Sequence, residues 1–109
     1  MIEKIFDILQ SVDVEAFYQE CSTPTDNYAI FNIFNEKDVE VADNVSNATI
    51  YSVSINYWYR KNRGLLSEKY REIKKVMKNN GFAFQSCTDI KGETHFGKSL
   101  DFKIKIWEE

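Results

Sequence analysis

The sequence contains few of the residue types that interrupt or cross-link a chain. It has one proline, four glycines, two cysteines and one histidine among 109 residues. This composition leaves no stretch that reads as an interdomain linker, so it predicts a single domain over residues 1–109. No run of about 18 apolar residues is present, which excludes a membrane-spanning helix. The first residues, Met1-Ile2-Glu3-Lys4, predict a helix rather than a signal peptide.

The scarce reactive residues do not form a motif. Cys21 and Cys87 lack the spacing of a metal site. We expect two reduced thiols in a protein made in the cytoplasm, with a disulfide as the alternative. We interpret the single histidine, His95, as exposed or locally hydrogen-bonded rather than catalytic. No metalloprotease, nucleophile-elbow or phosphate-loop motif is present, so the sequence predicts no enzyme and no cofactor.

One acidic stretch holds three neighbouring carboxylates that resemble cation ligands at first sight. They are Asp38, Glu40 and Asp43, in a polar segment predicted as a long loop over residues 35–47. Val39, Val41 and Val45 alternate within it, which leaves open that part of the segment extends the hairpin. The spacing of the three carboxylates does not match a calcium-binding loop. We therefore interpret them as solvated side chains and predict no metal site.

What the chain does contain is apolar and aromatic residues in clear periodic patterns. Hydrophobic residues make up 43% and aromatic residues 15% of the chain, which predicts a folded protein. The cleanest pattern is residues 49–59, where alternate side chains are apolar or aromatic and β-branched residues are frequent. This alternation predicts a strand with one buried face, and such a strand needs other strands and a helix to cover it.

The remaining elements follow from the same periodicities. Apolar spacing predicts helices over residues 1–20, with its second half uncertain between a helical turn and a short extended piece, and over residues 65–80, with Ser67 as a cap. Gly81 is predicted to end the second helix in the left-handed conformation. Further strands are predicted at residues 28–34, 82–88 and 100–107, with a loop at residues 89–97. The predicted fold is α+β, in the order α-β-β-α-β-β, with a mainly antiparallel four-stranded sheet and two helices on one face.

Charge is unevenly distributed along the chain, although the net charge is only -3. Residues 1–47 carry ten acidic and two basic side chains, whereas residues 48–80 carry eight basic and two acidic ones. A chain with an acidic part and a basic part can stack head to tail with copies of itself. The alternative is that both parts are solvated faces.

Two further features bear on binding. Basic residues from Arg60 to Lys78 follow Trp58 and Tyr59, and cations beside aromatic rings can bind single-stranded nucleic acid. The acidic net charge argues against a sequence-specific nucleic-acid binder. Trp58 and Trp107 fall on the outward faces of their predicted strands, where either a helix of the same chain or a neighbouring protein would have to cover them.

The order of these elements resembles the tail terminator, or tail completion, proteins of long-tailed bacteriophages and prophages. The resemblance spans nearly the whole chain, but it is one of order and pattern, without a diagnostic motif. The residues that carry it are the opening helix Ile2 to Leu9, Pro24 and the strand Tyr28 to Phe31, the acidic loop with Ala42-Asp43-Asn44, the strand Tyr51 to Tyr59, the helix with Tyr70, Ile73 and Met77 ending at Asn80-Gly81-Phe82, and the last strand Leu100 to Ile106.

The resemblance implies a structural virion protein without catalytic residues. Members of this family form a ring, typically a hexamer, at the head-proximal end of the tail tube. The ring ends tube polymerisation and joins the head, and DNA passes through its interior. The implied partners are further copies of the chain, tail-tube and head-connector proteins, with no membrane. The implied location is the virion, after synthesis in the cytoplasm of the host bacterium.

Interface positions are not fixed by a family motif, so we select exposed charges and tryptophans as candidates. The candidate subunit-interface residues are Glu36, Asp38, Glu40, Asp43, Trp58, Arg60, Lys61, Arg63, Lys74, Lys75, Lys78 and Trp107. Two alternatives stay open. One is a different head–tail joining protein, which phage tail terminators of this size resemble. The other is a small nucleic-acid-binding or regulatory module.

Overall fold

A computed structural model describes residues 1–40 and 47–107, which form one five-stranded mixed sheet with two α-helices. The strand order is β1-β2-β3-β5-β4. β1 is parallel to β2, and the other neighbouring strands are antiparallel. The elements are α1 Ile2–Gln10, β1 Ala16–Tyr18, β2 Asn27–Glu40, β3 Asn47–Arg60, a 3-10 turn Gly64–Glu68, α2 Lys69–Asn79, β4 Ala83–Lys91 and β5 His95–Trp107.

The predicted four-stranded antiparallel sheet is wrong. The observed order is α-β-β-β-α-β-β, and the additional strand is β1, which lies in the segment left open between a turn and an extended piece. Three residues are too few to show a period in the sequence. The strand exists because Ala29 N–H donates to the Glu15 carbonyl (2.8 Å) and Gln19 N–H donates to the Phe31 carbonyl (2.9 Å). These are tertiary contacts that local sequence does not encode.

β3 lies at the centre of the sheet and carries the core. Val53, Ile55 and Tyr57 are fully buried on one face, as the alternation predicts. The same cluster contains Ile5 and Leu9 of α1 and Ile73 and Met77 of α2, so both helices pack on this face. Complete burial of one such aliphatic side chain stabilises a fold by about 1.5–3 kcal/mol.

Several predicted boundaries shift in the structure. The predicted loop at residues 89–97 is wrong, because β4 continues to Lys91 and β5 begins at His95, which leaves only a short hairpin turn. The acidic segment after residue 34 is strand as far as Glu40, and residues 41–46 of the predicted loop lie outside the described residues. Ser67 is not a cap, since it lies in the 3-10 turn and α2 starts after Glu68 without a side-chain capping bond. The left-handed conformation of Gly81 is confirmed, with φ at 92°.

The buried Tyr57 fastens the turn after β3 to the sheet. Its hydroxyl donates to the Leu66 carbonyl (3.1 Å) and accepts from Nδ2 of Asn27 (3.2 Å). Burial raises the pKa of Tyr57 above its ordinary value. The phenol therefore stays neutral and keeps the proton that it donates to Leu66. One side chain thus connects the core, the start of β2 and the 3-10 turn.

We expect Tyr57→Phe to lower the free energy of unfolding by about 1–3 kcal/mol, because a carbonyl and an amide lose their partner. Urea unfolding followed by circular dichroism measures this difference. The matched control is Tyr59→Phe, because Tyr59 is partly buried and its hydroxyl makes no hydrogen bond with a described residue. Equal stability of the two variants would show that the Tyr57 hydroxyl does not anchor the turn.

On the face of the sheet opposite the helices, the Trp58 side chain packs across the neighbouring strand β5. Trp58 pairs with Gly97 of β5, and its ring also approaches Gly92 of the β4–β5 turn. A Cβ atom on Gly97 would lie 2.6 Å from the Tyr57 carbonyl oxygen, and 3.0 Å from both Cε3 of Trp58 and Cγ1 of Ile90. The missing side chain at Gly97 is therefore what allows the indole to lie against the sheet.

Gly97→Ala should lower the free energy of unfolding by about 1–3 kcal/mol through overpacking against backbone. Gly64→Ala is the control, since a Cβ atom there meets nothing within 4 Å. Thermal unfolding of both variants tests the claim. A Gly97→Ala variant as stable as the control would mean that β5 and the indole move apart without penalty.

Candidate assembly surfaces

The reactive side chains of the described chain do not converge on a site. Within residues 1–40 and 47–107, no group of three or more His, Cys, Asp or Glu side chains is placed to hold a metal ion. Cys21 and Cys87 are free thiols. Neighbouring groups partly desolvate the Cys87 thiol and raise its pKa, which disfavours the reactive thiolate. None of the helices in this part of the chain is long and apolar enough to cross a membrane.

His95 is a structural residue at the start of β5. It is only 4% exposed, and its ring packs edge-on against Tyr28. Nε2 lies 2.8 Å from the Thr25 carbonyl oxygen, and Nδ1 lies 2.7 Å from the Thr94 hydroxyl. A carbonyl oxygen only accepts, so Nε2 carries a proton and donates it. In the neutral ring, Nδ1 then accepts from Thr94. His95 thereby holds the connector before β2 against the β4–β5 turn.

We expect long-range proton–nitrogen NMR spectra of the neutral His95 ring to show Nε2 protonated and Nδ1 unprotonated. The geometry requires this tautomer because the Thr25 carbonyl needs a donor. In Thr94→Val the same tautomer should persist, since the Thr25 contact is unchanged. An Nδ1-protonated ring in the native protein would refute the proposed hydrogen-bond arrangement.

The acidic candidates lie on the exposed end of β2. Glu36 and Asp38 are exposed on this strand, and Asp38 accepts a hydrogen bond from the Thr49 hydroxyl (3.2 Å). Glu40 is the last residue of β2, and Asp43 lies outside the described residues. β1 pairs with β2 only at residues 29–31. The acidic part of β2 is therefore an edge of the sheet along its outer side.

The basic candidates at the other end of β3 are largely engaged within the chain. Asp26 binds two of them, at 3.0 Å from its Oδ1 to Nε of Arg60 and 2.9 Å from its Oδ2 to Nη2 of Arg63. The Lys61 amine lies 5.0 Å from the centre of the Phe96 ring. These pairs are exposed, so each contributes little to stability. They do fix the direction of the chain as it enters the 3-10 turn.

The basic candidates on α2 are different, because they have no acidic partner among the described residues. Arg71 pairs with Glu68, and Lys69 pairs with Glu72. The free positive charge of the helix resides on the other lysines. Lys74 covers the Phe84 ring of β4 at 4.1 Å, whereas Lys75 and Lys78 are exposed. These three are Lys74, Lys75 and Lys78.

The two tryptophans belong to separate places. Trp58 is half-buried and lies over Gly97 and Gly92 rather than under a helix. Trp107 ends β5 and is 53% exposed, with the Lys105 amine 4.8 Å from its ring. The structure thus divides the candidate interface residues among the outer part of β2, the basic turn, α2 and the face opposite the helices. It does not bring them together in one patch.

Sequence reasoning missed two exposed apolar side chains. Phe34 is 55% exposed at the register shift between residues 33 and 35 of β2, where the chain contains one residue more than its partner. Leu65 is 99% exposed in the 3-10 turn. The sequence predicts Leu65 within a helix and Phe34 within a strand, and neither pattern indicates an exposed side chain. Only the doubled apolar run Leu65-Leu66 after a glycine signals that one of the two leucines faces outward.

Comparison with known proteins does not add a family. No protein-family model matches the sequence, and no curated protein is significantly similar to it. The functional argument therefore rests on the surfaces of this molecule and on the pattern of its sequence.

Proposed function

We propose that this protein is a structural component of a phage or prophage virion, of the tail terminator type. Several copies, in a ring that we expect to be a hexamer, close the head-proximal end of the tail tube, end its polymerisation and allow the head to join. DNA passes through the ring. The chain acts in the virion after synthesis in the host cytoplasm, without catalysis or cofactor.

One observation carries the proposal, namely that charges of opposite sign, without ion-pair partners among the described residues, lie on opposite sides of the molecule. Glu36 and Asp38 are on the outer side of β2, whereas Lys75 and Lys78 are on α2, which packs beside β4. β3 and β5 lie between β2 and β4, and that separation is about 14 Å at usual strand spacing. These charges cannot neutralise each other within one chain, so they suit contacts between copies or with a tube.

The molecule also has the shape and surface of a building block. Its principal extents are 56 × 23 × 22 Å, with the β2–β3 hairpin along the long axis. Large apolar side chains remain uncovered at Phe34, Leu65 and Trp107. Exposed aromatic side chains of this kind are enriched where proteins meet. Together with the order of elements in the sequence, these features support an assembly protein.

Deletion of the gene from the phage or prophage that carries it tests the function. We expect tail tubes of uncontrolled length and heads without tails in electron micrographs, because nothing would stop polymerisation. A plasmid copy of the gene should restore tails of normal length. Joined particles with tails of normal length after deletion would refute the proposal.

The same experiment separates the head-side alternative. If the protein acted only on the head as another joining component, deletion would leave separate tails of normal length beside unjoined heads. Overlong tubes are therefore the result that is specific to a tail terminator.

A nucleic-acid-binding module is a second candidate, and one observation favours it. Lys74, Lys75 and Lys78 form a cluster without acidic partners among the described residues. Phosphate contacts make such binding fall steeply with salt. Fluorescence anisotropy with labelled single- and double-stranded DNA, compared at about 50 and about 200 mM salt, tests this module. Binding that falls steeply with salt would support it, and absence of binding at the lower salt concentration would refute it. The net charge of -3 favours the assembly function.

A further inference from the structure

Among the described residues, the sheet ends at two edge strands that lie level with each other. β1 forms one edge and β4 the other. One row of paired residues crosses the whole sheet, from Tyr18 through Phe31, Ile55 and Leu100 to Cys87. Five strands span about 19 Å at usual spacing. A second copy displaced sideways by one further strand spacing, about 24 Å in all, would place its β1 beside β4 of the first.

The β1 side of the molecule is acidic. Glu15 immediately precedes β1 and Glu20 follows it, and both side chains are exposed. Glu36 and Asp38 continue the same edge along β2, on the opposite face of the strand from Lys37, which lies between them in sequence. None of these four carboxylates is in an ion pair with a described residue. Like charges gathered on one edge also discourage the edge from pairing with itself.

The β4 side of the molecule is basic. Lys74 reaches over Phe84 of β4, which places this face of α2 above that edge. Lys78 lies one helical turn further on the same side, and Lys75 is exposed next to them. The acidic residue on β4 itself, Asp89, is already engaged by Lys98. The net free charge of this edge is therefore positive.

We propose that each edge docks a second copy of this chain, side by side and head to tail, with the β1 edge of one copy against the α2–β4 edge of the next. The occupant is identified by complementarity, since each edge of the molecule presents the charge that the other lacks. The contact is heterologous, so repetition produces a closed ring or an open row. This inference names the partner of each edge in the ring of the proposed function, and it rests on that function for its biological setting.

The charge pattern of the sequence predicts that acidic residues 36–43 of one copy face basic residues 60–78 of another copy, or the tail tube. The structure narrows the residues on each side of such a contact. In the structure Arg60 and Arg63 are occupied by Asp26 and lie at the end of β3, away from the β4 edge. The contact therefore uses Lys75 and Lys78 rather than the basic turn. On the acidic side, Glu15 and Glu20 join Glu36 and Asp38.

A charge-swap experiment on the isolated protein tests the docking. One variant carries Lys75→Glu and Lys78→Glu, and the other carries Glu15→Lys and Glu20→Lys. Sedimentation velocity at low ionic strength should show oligomers for the native protein and self-association weakened at least about tenfold in each variant, because like charges then meet. An equimolar mixture of the two variants should assemble again, since each reversed edge then finds a complementary partner.

The mixture distinguishes a specific contact from general repulsion. The control variant carries Lys103→Glu and Lys105→Glu, which lie on the face of the sheet opposite the two helices. Its net charge equals that of the Lys75→Glu and Lys78→Glu variant, and it should still assemble. Circular dichroism confirms that every variant is folded. A monomeric native protein at low ionic strength, unimpaired single variants, or a mixture that stays monomeric would each overturn the docking.

The outcome is separable from the test of function. No phage component is present in the sedimentation experiment. A mixture of variants that stays monomeric therefore does not predict which tail phenotype the deletion has. Conversely, normal tails after deletion together with reassembly of the mixture would refute the tail terminator function and leave the contact between copies standing.

Discussion

The fold depends on the alternation of side chains along β3. Val53, Ile55 and Tyr57 enter the core from its central strand, and both helices and both neighbouring strands pack around them. Because the period is two residues, a shift of one residue in register would move all three to the outer face. The Tyr57 hydroxyl adds a polar constraint at the end of this row, since it finds both partners only in the native register. Apolar burial supplies the stabilisation, and the hydrogen bonds select the register.

The same strand explains why the two faces of the sheet have different uses. One face is covered by α1 and α2. The other has no covering helix among the described residues and carries small polar residues along its centre, with Trp58 near one end. On that face the side-chain oxygen of Asn56 is buried without a hydrogen-bond partner among the described residues. The residues paired with Asn56 in the neighbouring strands are Ile30 of β2 and Ser99 of β5. The edges of the sheet, rather than this face, carry the complementary charges.

Sequence reasoning succeeded where a segment was long and periodic. α1, β3, the apolar face of β5 and the glycine that ends α2 follow from patterns that physical chemistry fixes locally. It failed for β1, whose three residues are extended only because β2 offers them hydrogen bonds. It also could not place the charges. The acidic and basic parts are visible along the chain, but which of them form ion pairs, as Arg60 and Arg63 do with Asp26, depends on contacts distant in sequence.

The contact between Trp58 and Gly97 has a consequence for how this sequence can vary. The indole occupies the volume that a side chain at position 97 would need, and the carbonyl of Tyr57 closes the remaining space. A larger residue at 97 is therefore compatible with the fold only if position 58 becomes smaller and the strands separate slightly. The two positions should behave as one inherited unit, so that descendants of this protein either keep both residues or replace them together.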